Sequence, residues 1–230
     1  MSLKNKSIIA VAAAVALSAG FWLSSMQQGN GDKVVVSDTQ KTHDAALAAA
    51  RKNYSPIRGS ILSPARKIAI PLLMKDDGKA FTINDVTGHW SLLFFGYTHC
   101  PDICPVTMGV VAQAKKLAEY KKQDFPDVIF ISVDPDRDSD NILGEYVQYF
   151  DKDFIGVTGE EKLIKALTLQ MSVVYMKMSA PDSSGNGYLI DHSSALLLLN
   201  PEGKLVAFMN PPHEAKVILK DFQTVVNRSK

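Results

Sequence analysis

The sequence predicts an α/β fold with a mixed central sheet flanked by helices, preceded by an N-terminal membrane-anchor helix. Three observations predict it. Strand-like apolar runs alternate with segments of helical periodicity, and the chain closes with a hairpin and a helix, the pattern of a sheet covered on both faces. One of those runs, SLLFFGY (91–97), is apolar throughout, as a strand buried on both sides would be. The N-terminus places Lys4 and Lys6 ahead of a largely apolar stretch from Ile8 to Leu23, followed by the polar SSMQQGNGDK.

That first segment spans about 24 Å as a helix, short of the ~30 Å hydrocarbon core, so its length alone suits a cleaved signal. Its flanks favour retention. The lysines can snorkel at one end and Trp22 can sit at the other interface, while the best cleavage-like triplet, Ala14-Val15-Ala16, lies inside the apolar run. Residues 1–23 are therefore expected to be a signal anchor, and positive charge ahead of the segment puts 24–230 outside the cytoplasm. No arginine precedes Arg51, which argues against a mitochondrial transit peptide; the expected location is the bacterial inner membrane with the folded part in the periplasm. Residues 24–55 form a polar tether that includes a short helix, DAALAAARKN (44–53), and the folded domain is expected over 56–230.

Within that domain KIAIPLLM (67–74) and AFTIND (80–85) read as strands around the turn at 76–79, and SLLFFGY follows. Residues 106–122 have helical periodicity with Pro105 at the mouth, where a missing N–H costs nothing. Next come a strand over 128–133, helices over 142–150 and 160–170, a strand over 172–178 and a polar loop over 179–187. ALLLL (195–199) and KLVAFM (204–209) flank NPEG as a hairpin, and a helix over 213–227 closes the chain.

Composition excludes some functions. With 46% apolar residues the domain can bury one core, and 25 basic against 24 acidic side chains leave a net charge of +1. No cluster of Lys and Arg interleaved with aromatics is present to track a phosphate backbone, so nucleic acid is not an expected partner.

The two cysteines of the chain, Cys100 and Cys104, sit together in FFGYTHCPDICP (94–105), between a buried strand and a helix N-terminus. The helix dipole and free N–H groups favour thiolates there, the form that metals and disulfide exchange both require. Spacing leans toward metal. Side chains at i and i+4 on a helical turn have Cβ atoms about 5–6 Å apart, while a relaxed disulfide wants roughly 3.5–4.5 Å; a metal ~2.3 Å from each sulfur bridges the wider gap. His192 in YLIDHSS (188–194) is the candidate third ligand, because a central sheet can bring its loop to the same edge, and Asp191 can orient an imidazole nearby. The alternative is a loop histidine with no ligand role.

FTINDVTGHWSLLFFGYTHCPDICP, FISVDPDRDS and DHSSALLLLNPEGKLV, in this order and spacing, resemble the Sco/SenC family of copper chaperones for cytochrome oxidase assembly. The resemblance implies a thioredoxin-like fold on a membrane anchor, with Cys100, Cys104 and His192 as copper ligands. It also implies delivery to the dinuclear copper centre of cytochrome c oxidase subunit II, and another periplasmic copper chaperone as a further partner. Two thiolates and an imidazole suit Cu(I), and accept Cu(II) with an added oxygen ligand. The alternative is a thiol–disulfide reductase acting through Cys100 and Cys104 on subunit II or other exported proteins; against it, His192-Ser193-Ser194 lacks the proline that thioredoxin-type oxidoreductases place there. A sensor would need an effector domain, which the sequence does not offer.

Other signals carry less. Asp134, Asp136, Asp138 and Glu145 fit positions 1, 3, 5 and 12 of a calcium loop, but Ser139 stands where Gly is needed and a strand precedes them; their carboxylates are expected to shape a partner surface instead. His99 tunes its neighbour or does nothing, and His43, His89 and His213 are expected in solvent. Met171, Met176 and Met178 could be read as a copper-loading track, since thioether is a soft ligand, but Met176 and Met178 share one face of a strand and core packing is the expected reading of all three. Asp102 adds negative charge that favours a bound cation.

Overall fold

The computed structural model describes residues 57–179 and 187–229. The expected anchor and tether lie outside them; among the described residues no helix is long and apolar enough to cross a membrane. The elements run β1 (Gly59–Lys67), β2 (Leu73–Lys75), β3 (Ala80–Phe81), β4 (Ser91–Gly96), α1 (Ile103–Tyr120), β5 (Asp127–Ser132), α2 (Asp140–Phe150), β6 (Ile155–Thr158), α3 (Glu161–Gln170), β7 (Tyr175–Ser179), β8 (Tyr188–His192), β9 (Leu196–Leu199), β10 (Lys204–Met209) and α4 (Ala215–Arg228). One sheet has the order β1-β10-β9-β4-β5-β6-β2-β3, and β7 and β8 make a separate antiparallel pair.

The sheet is mixed, as expected, and β4 is its axis. It pairs parallel with β5 (Leu93 with Ile129, Phe94 with Phe130) and antiparallel with β9 (Leu93 with Leu197, Phe94 with Leu196). All six residues of β4 are buried, and successive side chains point to opposite faces, so both faces are covered. The parallel pairs β4–β5 and β5–β6 are each joined through a helix, α1 and α2, the crossover that parallel strands require. α1 lies against α2 and α4, and α2 against β6.

This topology sets up the site. Loops leaving the C-terminal ends of two parallel strands emerge at one sheet edge, where open α/β sheets place their ligands. The loop after β4 carries Cys100 and leads into the first turn of α1, which carries Cys104, and the loop after β5 carries the acidic run. Because β9 runs antiparallel to β4 with Leu196 opposite Phe94, the segment entering β9 arrives at that same edge and brings His192 with it.

Several elements differ from the sequence reading. KIAIPLLM contributes only its end to β2, since Pro71 interrupts the run; the longer strand is β1, just upstream, whose pairing with β10 shifts register between Ile61 and Arg66 around Pro64. AFTIND keeps two strand residues before a 3-10 turn over Ile83–Val86, which Thr82 and Asp85 close as a reciprocal cap. β6, a four-residue strand in IGVT, lacks an alternating pattern because three of its residues are buried. β8 is a strand where a loop was expected, its polar Asp191 and His192 holding places a purely apolar criterion rejects.

Leu93 is fully buried on β4. Leu93→Ala should lower the unfolding free energy by about 2–5 kcal/mol in denaturant melts. Leu169→Ala, at a position 70% exposed, should change it by less than about 0.5 kcal/mol.

Candidate metal centre

The chain turns sharply after Gly96. The Cys100 N–H donates to the Tyr97 carbonyl at 3.2 Å, and α1 begins two residues before Pro105, so Cys104 falls in its first turn. Cys104 is fully buried and Cys100 is 9% exposed; both are free thiols. Gly96 makes room for them: a Cβ there would lie 2.8 Å from Cys104 Sγ and 2.8 Å from the Phe130 ring.

His192 closes the group from β8. Its Nε2 stands 3.2 Å from Cys104 Sγ, and the three potential ligand atoms of Cys100, Cys104 and His192 all lie within 4.8 Å of one another. Donors ~2.2 Å from one metal sit about 3.5–4 Å apart, so closure around an ion asks for a contraction of under roughly 1.5 Å. The Nδ1 side of the ring is 3.1 Å from the Ser193 carbonyl, which can only accept, so Nδ1–H donates there and Nε2 is the ring nitrogen that faces the sulfurs. Edge contacts with Phe94 (6.0 Å) and Tyr97 (5.9 Å) fix the ring plane.

The two thiols are not equivalent. The Cys104 thiol donates to the Cys100 sulfur, and despite the opposing effect of burial this bond, with hydrogen bonds from His192 and the backbone N–H groups of Asp102 and Cys104, holds the Cys100 pKa well below the ordinary thiol range. The Cys104 pKa is driven far up by that same bond to Cys100 and by burial. The pair gives up its first proton easily and its second with difficulty: one negative charge is shared by two sulfurs until a cation arrives.

The acidic loop after β5 holds this geometry together. Asp138, fully buried, accepts from the Thr98 N–H (3.0 Å), the Thr98 hydroxyl (2.6 Å) and the Ser132 hydroxyl (2.6 Å), fixing the turn that precedes Cys100. Asp134, also fully buried, pairs with Arg137 and accepts from the Tyr188 hydroxyl at 2.6 Å. The Arg137 guanidinium lies 3.7 Å from the centre of the Tyr188 ring and donates to the Tyr188 carbonyl at 3.2 Å. Tyr97 OH accepts from the Ile190 N–H at 3.2 Å. One loop thus ties the thiol turn on one side and the His192 strand on the other. The signal available in sequence was FISVDPDRDS itself, with its charged residues straight after a buried strand.

Some expectations need correction. Asp134 and Asp138 are interior, so they do not shape a partner surface; Asp136, tied to Lys177 at 2.7 Å, and Glu145 are the two of the four acids that are exposed. Both buried carboxyls spend their oxygens on protein donors, which agrees with setting calcium aside. His99 is within 3.1 Å of the Thr98 hydroxyl and 3.6 Å of Asp138, and it does not belong to the sulfur cluster. His213 is half-buried, not solvated: its Nε2 meets the Ser194 carbonyl at 2.8 Å, and burial lowers its pKa. His89 is partly buried beside Asp85 and Asp127, and His43 lies outside the described residues. Of the three methionines only Met171 is in the core; Met176 and Met178 are exposed. Asp102 is exposed at the helix mouth.

Iodoacetamide labelling followed by peptide mapping should modify Cys100 down to about pH 6, well below the ordinary thiol range of ~8.5. Since the leading cause is the bond from Cys104, Cys104→Ala should move that labelling profile to higher pH; an unmoved profile contradicts the shared charge. Gly96→Ala should destabilise the fold by about 1–3 kcal/mol through the clash with Cys104 and Phe130.

Comparisons with known proteins agree with one another. The SCO1/SenC family model matches residues 70–227. The chain is 41% identical over 180 residues to Protein SCO1 homolog 1, mitochondrial, of Arabidopsis thaliana, covering 77% of this chain and only 52% of that protein, so it spans about half the length of that relative. It is 35% identical over 151 residues to a SCO2-like protein of Rickettsia prowazekii, covering 66% of this chain and 73% of that one. Among solved structures, Arabidopsis thaliana ScoI with copper bound superposes with a TM-score of 0.62 at 34% identity, over 74% of this chain and 99% of that one. Yeast Sco1 with copper bound gives 0.62 at 27% identity, over 75% and 90%. With the family model matched from β2 to the last turn of α4, this chain belongs to the SCO1/SenC family.

Proposed function

We propose that the chain is a copper metallochaperone, anchored in the bacterial inner membrane with its folded domain in the periplasm. It holds copper through Cys100, Cys104 and His192 and delivers it to the dinuclear copper centre of cytochrome c oxidase subunit II. The observation that carries this reading is the convergence of two free thiols and an imidazole Nε2 within 4.8 Å at one sheet edge. Copper is cargo here. Soft thiolates and an imidazole favour it over harder cations, and three protein donors leave a coordination position through which a recipient's ligands can enter. The low Cys100 pKa supplies one thiolate before metal arrives, and the cation then draws the second proton from Cys104. Relatives solved with copper bound support the cargo. The apolar N-terminal segment with its lysines and Trp22 supports the anchor, and another periplasmic copper chaperone is the proposed donor.

A second reading has its own support in the unequal thiols. A low-pKa Cys100 beside a protonated Cys104 is the division between attacking and resolving thiol: the Cys100 thiolate would attack a disulfide of subunit II, and Cys104 would displace it. The chain would end as a Cys100–Cys104 disulfide, with two electrons passed to the partner's cysteines.

One experiment separates them. Reduced full chain, titrated with Cu(I) against a competing chelator, should bind one tight equivalent, and His192→Ala should weaken it by about 100-fold or more, some 2.7 kcal/mol. Binding untouched by His192→Ala removes the three-donor site. Disulfide exchange that survives His192→Ala, with no tight copper equivalent in either protein, selects the reductase.

A further inference from the structure

Side chains of the β7–β8 hairpin alternate between two faces. Ile190, buried, and His192 belong to the inner one. The outer face carries Met176 and Met178 from β7, with Asp191 paired opposite Met176 and Leu189 opposite Met178. Met176 is 59% exposed and Met178 49% exposed, so packing does not account for them. Residues two apart on a strand have Cα atoms roughly 6.6 Å apart, and a methionine side chain has three rotatable bonds, so two thioether sulfurs can close on one ion. The Asp191 Cβ lies about 4.5–5.5 Å from that of Met176 by the register, adding a negative charge toward a cation. The lysine between the methionines is on the other face: Lys177 is held 2.7 Å from Asp136 and 3.9 Å from Glu161, so no ammonium competes for the outer face.

We propose that Met176 and Met178, with Asp191 beside them, form a second metal site for a soft monovalent cation, Cu(I), on the outside of the hairpin whose inner strand ends in His192. Thioethers are neutral and bind Cu(I) more weakly than thiolates do, so this site takes copper only after the thiols are filled, or in their absence. It shares no donor with the thiol pocket and stands or falls apart from it.

The test uses full chain labelled with 13C-methyl methionine, kept reduced and anaerobic, and titrated with Cu(I). Of the eight methionines, Met176→Leu and Met178→Leu assign the two signals while keeping side-chain volume. The first equivalent should leave both methyls in place, and the second should move them together. Either leucine substitution should abolish the movement of the remaining partner. In Cys100→Ser/Cys104→Ser the movement should come with the first equivalent, so failure of the thiol pocket would leave this result intact. Stationary methyls through several equivalents in both backgrounds overturn the proposal, as they would if the face served an apolar protein partner. Movement of one methyl that ignores substitution of the other overturns it too.

Discussion

The candidate metal centre depends on two buried carboxyls that touch neither sulfur. Asp138 accepts from both the backbone and the hydroxyl of Thr98, and so sets where the chain turns before Cys100. Asp134 grips Arg137 and Tyr188, and so sets where the strand carrying His192 lies. Both belong to a single five-residue stretch at the end of β5, so the distance between thiols and imidazole is fixed by one short covalent span, although Cys104 and His192 are 88 residues apart in sequence. Removing an acceptor from such a network leaves buried donors unsatisfied, at a cost of roughly 1–3 kcal/mol each, which makes the arrangement stiff. A guanidinium stacked on an aromatic ring and bonded to that residue's own carbonyl adds direction to the grip.

Stiffness on the support side frees the ligand side to stay incomplete. Two sulfurs share one charge, the ring turns its Nε2 toward them, and no further His, Cys or carboxylate joins them among the described residues. A pocket of this kind holds a soft ion against water, yet yields it to an incoming thiolate without dismantling the fold. The same asymmetry between Cys100 and Cys104 serves electron exchange, which is why the two candidate chemistries share their residues and part only at His192. The hairpin adds a second feature: its inner face serves the pocket, while its outer face leaves thioethers in water.

Much of this was legible in the chain. β4 and the α1 mouth follow from SLLFFGY and the Pro105 break, and both cysteines sit where the strand-to-helix turn predicts. His192 was reachable by asking which loop a central sheet returns to that edge. What stayed hidden has physical causes. β6 and β8 are short strands whose apolar and polar residues do not alternate cleanly, because one is buried on both faces and the other ends in the polar pair Asp191 and His192. Asp134 and Asp138 looked like surface acids, since burial of a carboxyl is legible only once its partners, Thr98, Ser132, Arg137 and Tyr188, are known to meet it. Met176 and Met178 looked like core because strand periodicity identifies a shared face without saying which way that face points.

X-ray absorption at the copper edge is the most direct measurement of the central claim. The unsubstituted full chain carrying one equivalent of Cu(I) should show a first shell of two sulfurs, at ~2.2–2.3 Å, and one nitrogen at ~2.0 Å with the outer-shell pattern of an imidazole ring. A first shell of sulfur alone, with no imidazole scattering, would contradict it.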